Sequence, residues 1–240
     1  KQKDGSFYVW GPNSSPNVSS ANTNVVLNLL SPTKIDPTTT LPTTGSTGAG
    51  FNYTGTPLIA AIAQVNHLLT TDGLYVWGNG NMYTLNTMGN TAITYRTPSG
   101  YRFGKLTVNN KADGLPPGVS PTNVKMMSGN QETLSIVTCS GAAWIFSQSS
   151  EGSIYGDGMT GNIANNSIWH RVLTSATDTL DNVVAVRGIR GTKFALTSNG
   201  KLYTWGLNTF HNNSTAGATS NYATEISVPA GVKIEVNDRS

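Results

Sequence analysis

The sequence contains the stretch Phe194-Ala195-Leu196-Thr197-Ser198-Asn199-Gly200-Lys201-Leu202-Tyr203-Thr204-Trp205-Gly206. An apolar strand leads into Asn199-Gly200, and a strand with two aromatic residues at alternate positions follows. Asn-Gly favours a two-residue turn, because glycine readily adopts a positive φ and such a turn matches the twist of the flanking strands. Alternate residues of a strand lie on one face. The stretch therefore predicts a β-hairpin.

The same pattern recurs three more times along the chain. Its glycines and aligned aromatic residues are Gly5 with Trp10, Gly73 with Trp77, Gly141 with Phe146, and Gly200 with Trp205. The hairpins lie near residues 4–11, 67–78, 134–147 and 194–206. Apolar stretches upstream of three of them predict at least three antiparallel strands in each repeat. We expect the aromatic residues to pack one sheet against the next.

The repeats resemble those of the regulator of chromosome condensation family. The resemblance rests on Leu69-Thr70-Thr71-Asp72-Gly73 with Tyr75-Val76-Trp77-Gly78, and on the matching residues 196–206. The family forms β-propellers, so the resemblance implies one all-β domain over residues 1–240, a propeller or propeller segment with four repeats and long polar inserts. Phe146-Ser147 departs from the Trp-Gly pattern, and the family's Gly-Gln-Leu-Gly stretch does not follow any Trp-Gly. The sequence thus resembles a distant member.

Partial repeat units stand at both termini, and a long polar insert follows each aromatic strand. Residues 228–234 resemble the first strand of a further repeat. A closed ring of four units and a piece of a larger ring both fit this arrangement. Within the first insert, residues 25–30 predict an outer strand. Each insert either carries binding specificity or supplies outer strands joined by polar turns.

The composition limits the classes of protein to which the chain can belong. Charged residues are 11% of the chain, against about 25% in an average soluble protein. The net charge is +3, which is a small excess and argues against nucleic acid as a partner. No run of 18 apolar residues predicts a membrane span. The abundance of Thr, Asn, Ser and Gly at low charge indicates a protein that is extracellular, on a cell surface or on a virion.

Motifs for catalysis or metal binding do not stand out. The three histidines His67, His170 and His211 lack the spacing of metal ligands, and no phosphate-binding loop or nucleophile elbow is present. Cys139 is the single cysteine, which excludes an internal disulfide. Asp157 in Gly156-Asp157-Gly158 is a candidate calcium ligand, but the lack of further spaced carboxylates favours a turn. We therefore expect no cofactor, no metal and no enzyme activity.

Two groups of residues are candidate binding patches. The first is Trp169-His170-Arg171, whose residue types suit protein or sugar contacts. An outer strand in which Trp169 covers the edge of the core is the alternative. The second group is the local cluster of cations formed by Arg187, Arg190 and Lys193.

These observations favour a non-enzymatic binding or adhesion module on a cell surface or virus particle, which recognises protein or glycan through propeller loops. The first alternative is a structural subunit of a virion tail or fibre, with neighbouring subunits as partners. A secreted inhibitor is a further alternative, as is a small-GTPase exchange factor, which is the family's role. An enzyme with its site in a central channel also stays open and predicts converging His, Tyr or carboxylate groups.

Overall fold

A computed structural model describes residues 7–13, 27–35, 58–62, 65–71, 73–78, 104–105, 111, 113–130, 133–147, 151–161, 168–189, 191–207 and 219–234. The chain divides into two compact units, Lys1–Leu115 and Pro116–Ser240. Regular structure in the described residues consists of β-strands and two short 3-10 helices, Pro121–Asn123 and Gly152–Tyr155. The organisation of the whole chain as one domain stays a prediction.

The first unit has two antiparallel sheets in its described part. One sheet pairs β1 (Phe7–Asn13) with β2 (Leu27–Ile35). The other has the order β3-β4-β5-β6, with β3 Leu58–Ile62, β4 Val65–Thr70, β5 Gly73–Gly78 and β6 Gly104–Lys105. The strand expected in the first insert is confirmed as β2, although it begins two residues later and extends to Ile35.

The second unit has two four-stranded antiparallel sheets among the residues described. The first sheet has the order β10-β9-β8-β7 and consists of β7 Val124–Gly129, β8 Thr133–Thr138, β9 Ala143–Ser147 and β10 His170–Arg171. The second has the order β11-β12-β13-β14 and consists of β11 Val183–Ile189, β12 Thr192–Thr197, β13 Leu202–Leu207 and β14 Thr219–Ile226. The outer strands β2, β6, β10 and β14 thus all come from the polar inserts.

Three of the four predicted hairpins are present, and two of their turns are longer than expected. The turn of the hairpin predicted near residues 4–11 lies outside the described residues. Thr70 pairs with Gly73, so the turn between β4 and β5 has the predicted length of two residues, but it consists of residues 71–72, and Gly73 is the first residue of β5. By contrast, Thr138 donates its amide to Ala142, and Thr197 donates its amide to Lys201. Each of these hairpins therefore has a three-residue loop. Its last residue, Gly141 or Gly200, has a φ near +80°, as the closing position of a three-residue loop requires.

A threonine at the end of the first strand stabilises each of the two longer loops. The Thr197 hydroxyl accepts the amide of Lys201 at 3.1 Å, and the Thr138 hydroxyl accepts the amide of Ala142 at 3.0 Å. Both side chains therefore bond to a main-chain donor that the turn would otherwise leave unpaired. The recurrent Thr before the turn is thus a structural part of the repeat.

The core of the second unit forms where its two sheets and one insert meet. Val137 and Ile145 come from the first sheet, Val186 and Trp205 from the second, and Tyr155 from the second 3-10 helix. These side chains are almost completely excluded from solvent. Burial of apolar area on this scale is the main favourable contribution to folding.

The expected strand over residues 228–234 is wrong. These residues have no strand, and they contain a turn in which Val232 donates its amide to the Pro229 carbonyl at 3.0 Å. Pro116–Val119 forms the same turn, with a Val119–Pro116 bond of 3.1 Å, and it precedes β7. Gly118 and Gly231 have φ values of +73° and +82°. Because proline restricts φ and glycine readily adopts a positive φ, this segment forms a turn where apolar content had predicted a strand.

Candidate functional site

The segment Trp169-His170-Arg171 lies against the core. Trp169 is 4% exposed and packs edge-on against Phe146, with 5.4 Å between ring centroids. Arg171 donates to the Ala143 carbonyl at 2.8 Å and forms an ion pair with Asp181. Burial lowers the pKa of Arg171, and Asp181 opposes that shift. The side chain of Trp169 therefore covers the core edge, as in the alternative interpretation, and binding by this segment stays a prediction.

Asp157 and His170 form a largely buried pair. His170 Nδ1 lies 2.7 Å from Asp157 Oδ2, and the His170 ring lies 4.0 Å from the ring of Tyr155. His170 Nε2 is buried without a hydrogen-bonding partner in the described part of the chain. Asp157 Oδ1 accepts the amide of Met159, which is a turn interaction. Asp157 thus occupies the turn that the sequence favoured over a calcium site.

The groups around the Asp157–His170 pair hold the insert in place. The Tyr155 hydroxyl donates to the Ser147 carbonyl at 3.1 Å, and burial raises the pKa of Tyr155. No group of three or more His, Cys, Asp or Glu side chains able to hold a metal occurs within the described residues. These contacts therefore anchor the insert to the sheets. They include no activated nucleophile and no set of metal ligands in the region that the structure describes.

Close contacts with aromatic rings explain the two glycines around Asp157. Gly156 has a φ of +72°, and a Cβ there would lie 2.7 Å from the Trp205 ring. Gly158 has a φ of +90°, and a Cβ there would meet the Tyr222 side chain. Both rings belong to the second sheet of the unit. The glycines thus let the insert of one repeat lie directly on the next repeat.

The cations Arg187, Arg190 and Lys193 do not form one exposed cluster. Lys193 pairs with Gly188 across β11 and β12, whereas Arg187 pairs with Phe194. Paired residues of two strands lie on the same face of a sheet, and consecutive residues of one strand lie on opposite faces. Lys193 shares a face with Gly188, the residue after Arg187, so Lys193 and Arg187 lie on opposite faces. Lys193 is 0% exposed, and Arg187 is exposed. Arg190 lies outside the described residues.

Arg187 is the centre of a surface that we call the Arg187 surface. It comprises the exposed Arg187 and Ile189 of β11, with the exposed Lys125 and the half-buried Met126 of β7. Ile189 is 71% exposed, the highest value among the large apolar side chains described. Arg187 Nη1 lies 3.3 Å from the Met126 sulfur and 2.9 Å from the Val186 carbonyl. These contacts hold the guanidinium between β11 and β7. The surface therefore combines an anchored cation with a large exposed aliphatic side chain.

The two cations of the Arg187 surface differ from three other cations of the described residues, each of which pairs with a carboxylate. Lys111 pairs with Asp113, Arg171 with Asp181, and Lys201 with Glu225. The contact with Glu225 raises the pKa of Lys201. No carboxylate contacts Arg187 or the exposed Lys125 within the described part of the chain. Sequence reasoning found Arg187, but it missed Ile189, because an isolated apolar residue near a turn carries no signal of exposure. It placed Met126 in an apolar strand and could not show its contact with Arg187, which depends on tertiary packing.

His67 and Cys139 do not extend a functional site. His67 is fully buried in β4, and neither ring nitrogen has a hydrogen-bonding partner among the described residues. Burial lowers its pKa to about 3, and the main chain of Ala60 opposes that shift in part. Cys139 is exposed at the tip of the β8–β9 loop. His67 is therefore a packed side chain, as the sequence favoured.

Comparisons with solved structures decide which fold these sheets form. The chain is similar to yeast RCC1 (Prp20) bound to Kap60, with a TM-score of 0.58 and 17% identity over 98% of this chain and 48% of that chain. Prp20p from Saccharomyces cerevisiae gives a TM-score of 0.55 and 13% identity over 94% of this chain and 48% of that chain. The chain has an RCC1-like β-propeller fold. Its repeats thus confirm the resemblance at the level of the fold.

Human WBSCR16, another RCC1 family protein, is also similar to this RCC1-like chain. It gives a TM-score of 0.57 and 15% identity over 95% of this chain and 50% of that chain. The chain therefore spans about half the length of the solved structures that it matches. No family model matches the sequence, and no curated protein matches it. No helix in the described part is long and apolar enough to cross a membrane.

Proposed function

We propose that the chain is a non-enzymatic protein-binding module and that it contacts its partner through the Arg187 surface. The exposure of Ile189 at 71% is the observation that carries the proposal. When a partner removes a large aliphatic side chain from water, the free energy of the complex is lowered. A nearby arginine helps to orient the partner. The fold agrees with this use, since the yeast RCC1 structures are described with Kap60 and with binding to Gsp1p and histones.

The rest of the second unit supports this choice of surface. Trp205 and Tyr155 hold the insert rigidly against the sheets. The loops at the opposite ends of the strands present small polar residues such as Ser140, Ser198 and Asn199. A framework held by such contacts, with a cationic and apolar surface, suits a partner that docks with little reorganisation.

We further propose that the module acts outside the cell or on a particle, where it recognises protein or glycan. The basis for this location is composition, namely few charged residues and many Thr, Asn, Ser and Gly. Display on a cell surface predicts that the protein in intact cells is accessible to a membrane-impermeant label. Complete protection of the protein in intact cells and in purified particles would contradict this part of the proposal.

The binding proposal is tested by quantitative capture from an extract of the source of the protein. The immobilised wild-type chain is compared with Ile189→Asp and with the matched control Val232→Asp, whose side chain is 57% exposed elsewhere in the same unit. We expect at least one protein to be retained by the wild type and by Val232→Asp, and to be lost with Ile189→Asp. Circular dichroism must show all three chains folded. Equal retention by all three would overturn the assignment of the Arg187 surface.

A further inference from the structure

The described strands around Arg187 lack acidic residues, and this indicates the chemistry of the partner. The four strands β7, β8, β11 and β12 contain Lys125, Arg187 and Lys193 and no Asp or Glu. Lys193 is buried, so the exposed charge of these strands is that of Lys125 and Arg187. Glu132, in the β7–β8 loop, lies outside the described residues. A positive surface of this kind favours a partner of opposite charge.

The geometry of Arg187 leaves much of its donor capacity unused. Nη1 makes the two contacts described above, to the Met126 sulfur and to the Val186 carbonyl. No contact of Nη2 or Nε within the described residues accompanies them. A guanidinium presents five N–H donors in a planar fork, and this fork matches the two oxygens of a carboxylate. Because one side of the fork is already fixed, a carboxylate would meet a donor that has lost part of its rotational freedom.

We infer that the partner is an acidic protein segment in which a carboxylate stands beside an apolar side chain. The carboxylate binds Arg187 with support from Lys125, and the apolar side chain covers Ile189. This inference rests on the proposed function and names the chemistry of its partner. Nucleic acid fits the observations less well, because two exposed cations neutralise few phosphates and the exposed Ile189 would gain no apolar contact.

The test begins with a probe library of random twelve-residue peptides displayed on phage. The library is selected on the wild-type chain, and the enriched peptides are synthesised with a fluorescent label. Dissociation constants are then measured by anisotropy for the wild type, Arg187→Glu, Ile189→Asp and the control Lys201→Ala. The control removes an exposed cation that already pairs with Glu225 at 2.8 Å.

We expect the enriched peptides to combine Asp or Glu with Leu, Ile, Val or Phe. Arg187→Glu should weaken binding at least tenfold, because an attraction becomes a repulsion, whereas Lys201→Ala should change it less than twofold. Replacing the peptide carboxylates by lysine should restore part of the affinity for Arg187→Glu. Affinity should also fall as salt is raised.

Three results would contradict, in turn, the acidic partner, the Arg187 surface and the choice of a protein partner. Enriched peptides that lack acidic residues, yet lose binding with Ile189→Asp, would overturn the acidic partner and leave the proposed protein-binding function in place. Peptides that bind all four chains equally would overturn the Arg187 surface itself. A 20-base-pair DNA duplex that binds the wild type more tightly than every enriched peptide, and fails to bind Arg187→Glu, would overturn the choice of a protein segment.

Discussion

The indole nitrogen of Trp205 donates a 3.1 Å hydrogen bond to the main-chain oxygen of Ile154. The bond joins β13 of one sheet to the 3-10 helix that follows β9 of the neighbouring sheet. The repeat motif thereby connects successive sheets through its own aromatic residue. Stability of the second unit therefore depends on this contact between repeats as well as on packing within each sheet.

Replacing Trp205 with phenylalanine should destabilise the second unit by about 3 kcal/mol, because the Ile154 oxygen loses its donor and the smaller ring leaves a gap. Trp144→Phe is the matched control, since the buried Trp144 Nε1 has no hydrogen-bonding partner among the described residues. The control removes an unpaired donor. It should therefore lower the free energy of unfolding by less than about 1 kcal/mol, or raise it. Urea unfolding measures both variants, and equal losses would contradict the role of the Trp205 bond.

Gly156→Ala should destabilise the chain by about 2–4 kcal/mol, because the new methyl group meets the Trp205 ring at 2.7 Å and φ is +72°. Gly161→Ala separates the two causes. Gly161 has a φ of +63° but nothing within 4 Å of the Cβ position. Its substitution should therefore cost only the backbone strain, about 1 kcal/mol. Equal thermal shifts for the two variants would show that contact with Trp205 is unimportant.

Acid should weaken the first unit through His67. The folded chain holds the His67 pKa at about 3, whereas the pKa of an unfolded histidine is 6.5. The unfolded state therefore binds the proton more readily, so stability is constant above pH 6.5 and falls as the pH decreases toward 3. The slope contributed by this group approaches about 1.4 kcal/mol per pH unit. His67→Leu should have a flatter stability profile between pH 6.5 and 4, and an unchanged profile would contradict this account.

Asp157→Ala should cost about 2 kcal/mol, because it leaves Nδ1 of the buried His170 without its partner at 2.7 Å. Asp178→Ala is the control, since Asp178 is exposed and its side chain bonds only to the nearby Ser175 and Thr177. The control should change the free energy of unfolding by less than about 1 kcal/mol. If both variants lose the same stability, the Asp157–His170 pair does not anchor the insert.

The repeated hairpins could be predicted because their signals are local. Asn199-Gly200 and the alternating aromatic residues specify a turn and a strand face within a few positions of each other. The loop length was not predictable, because the choice between two and three residues depends on bonds such as that from Lys201 to the Thr197 hydroxyl. The turn at Pro229–Val232 was missed because apolar content outweighed the backbone preferences of proline and glycine.

The candidate site was less predictable than the fold, because exposure depends on tertiary packing. Arg187 and Lys193 are close in sequence, yet register places them on opposite faces. Trp169 carried the composition of a binding residue, but it covers Phe146. Ile189 is apolar, yet it is exposed, because it lies beside the β11–β12 turn. The sequence shows which residue types are present. The face of the sheet on which each side chain lies could be assigned only from the pairing of the strands.

Amide hydrogen–deuterium exchange, with and without the strongest captured partner, shows where on the chain the partner binds. Exchange reports local protection of main-chain amides along the chain. The account predicts that the partner slows exchange at residues 125–127 and 187–192 and leaves the loop at residues 197–201 unchanged. Protection confined to other residues, with no change at 187–192, would contradict the assignment of the Arg187 surface as the binding site.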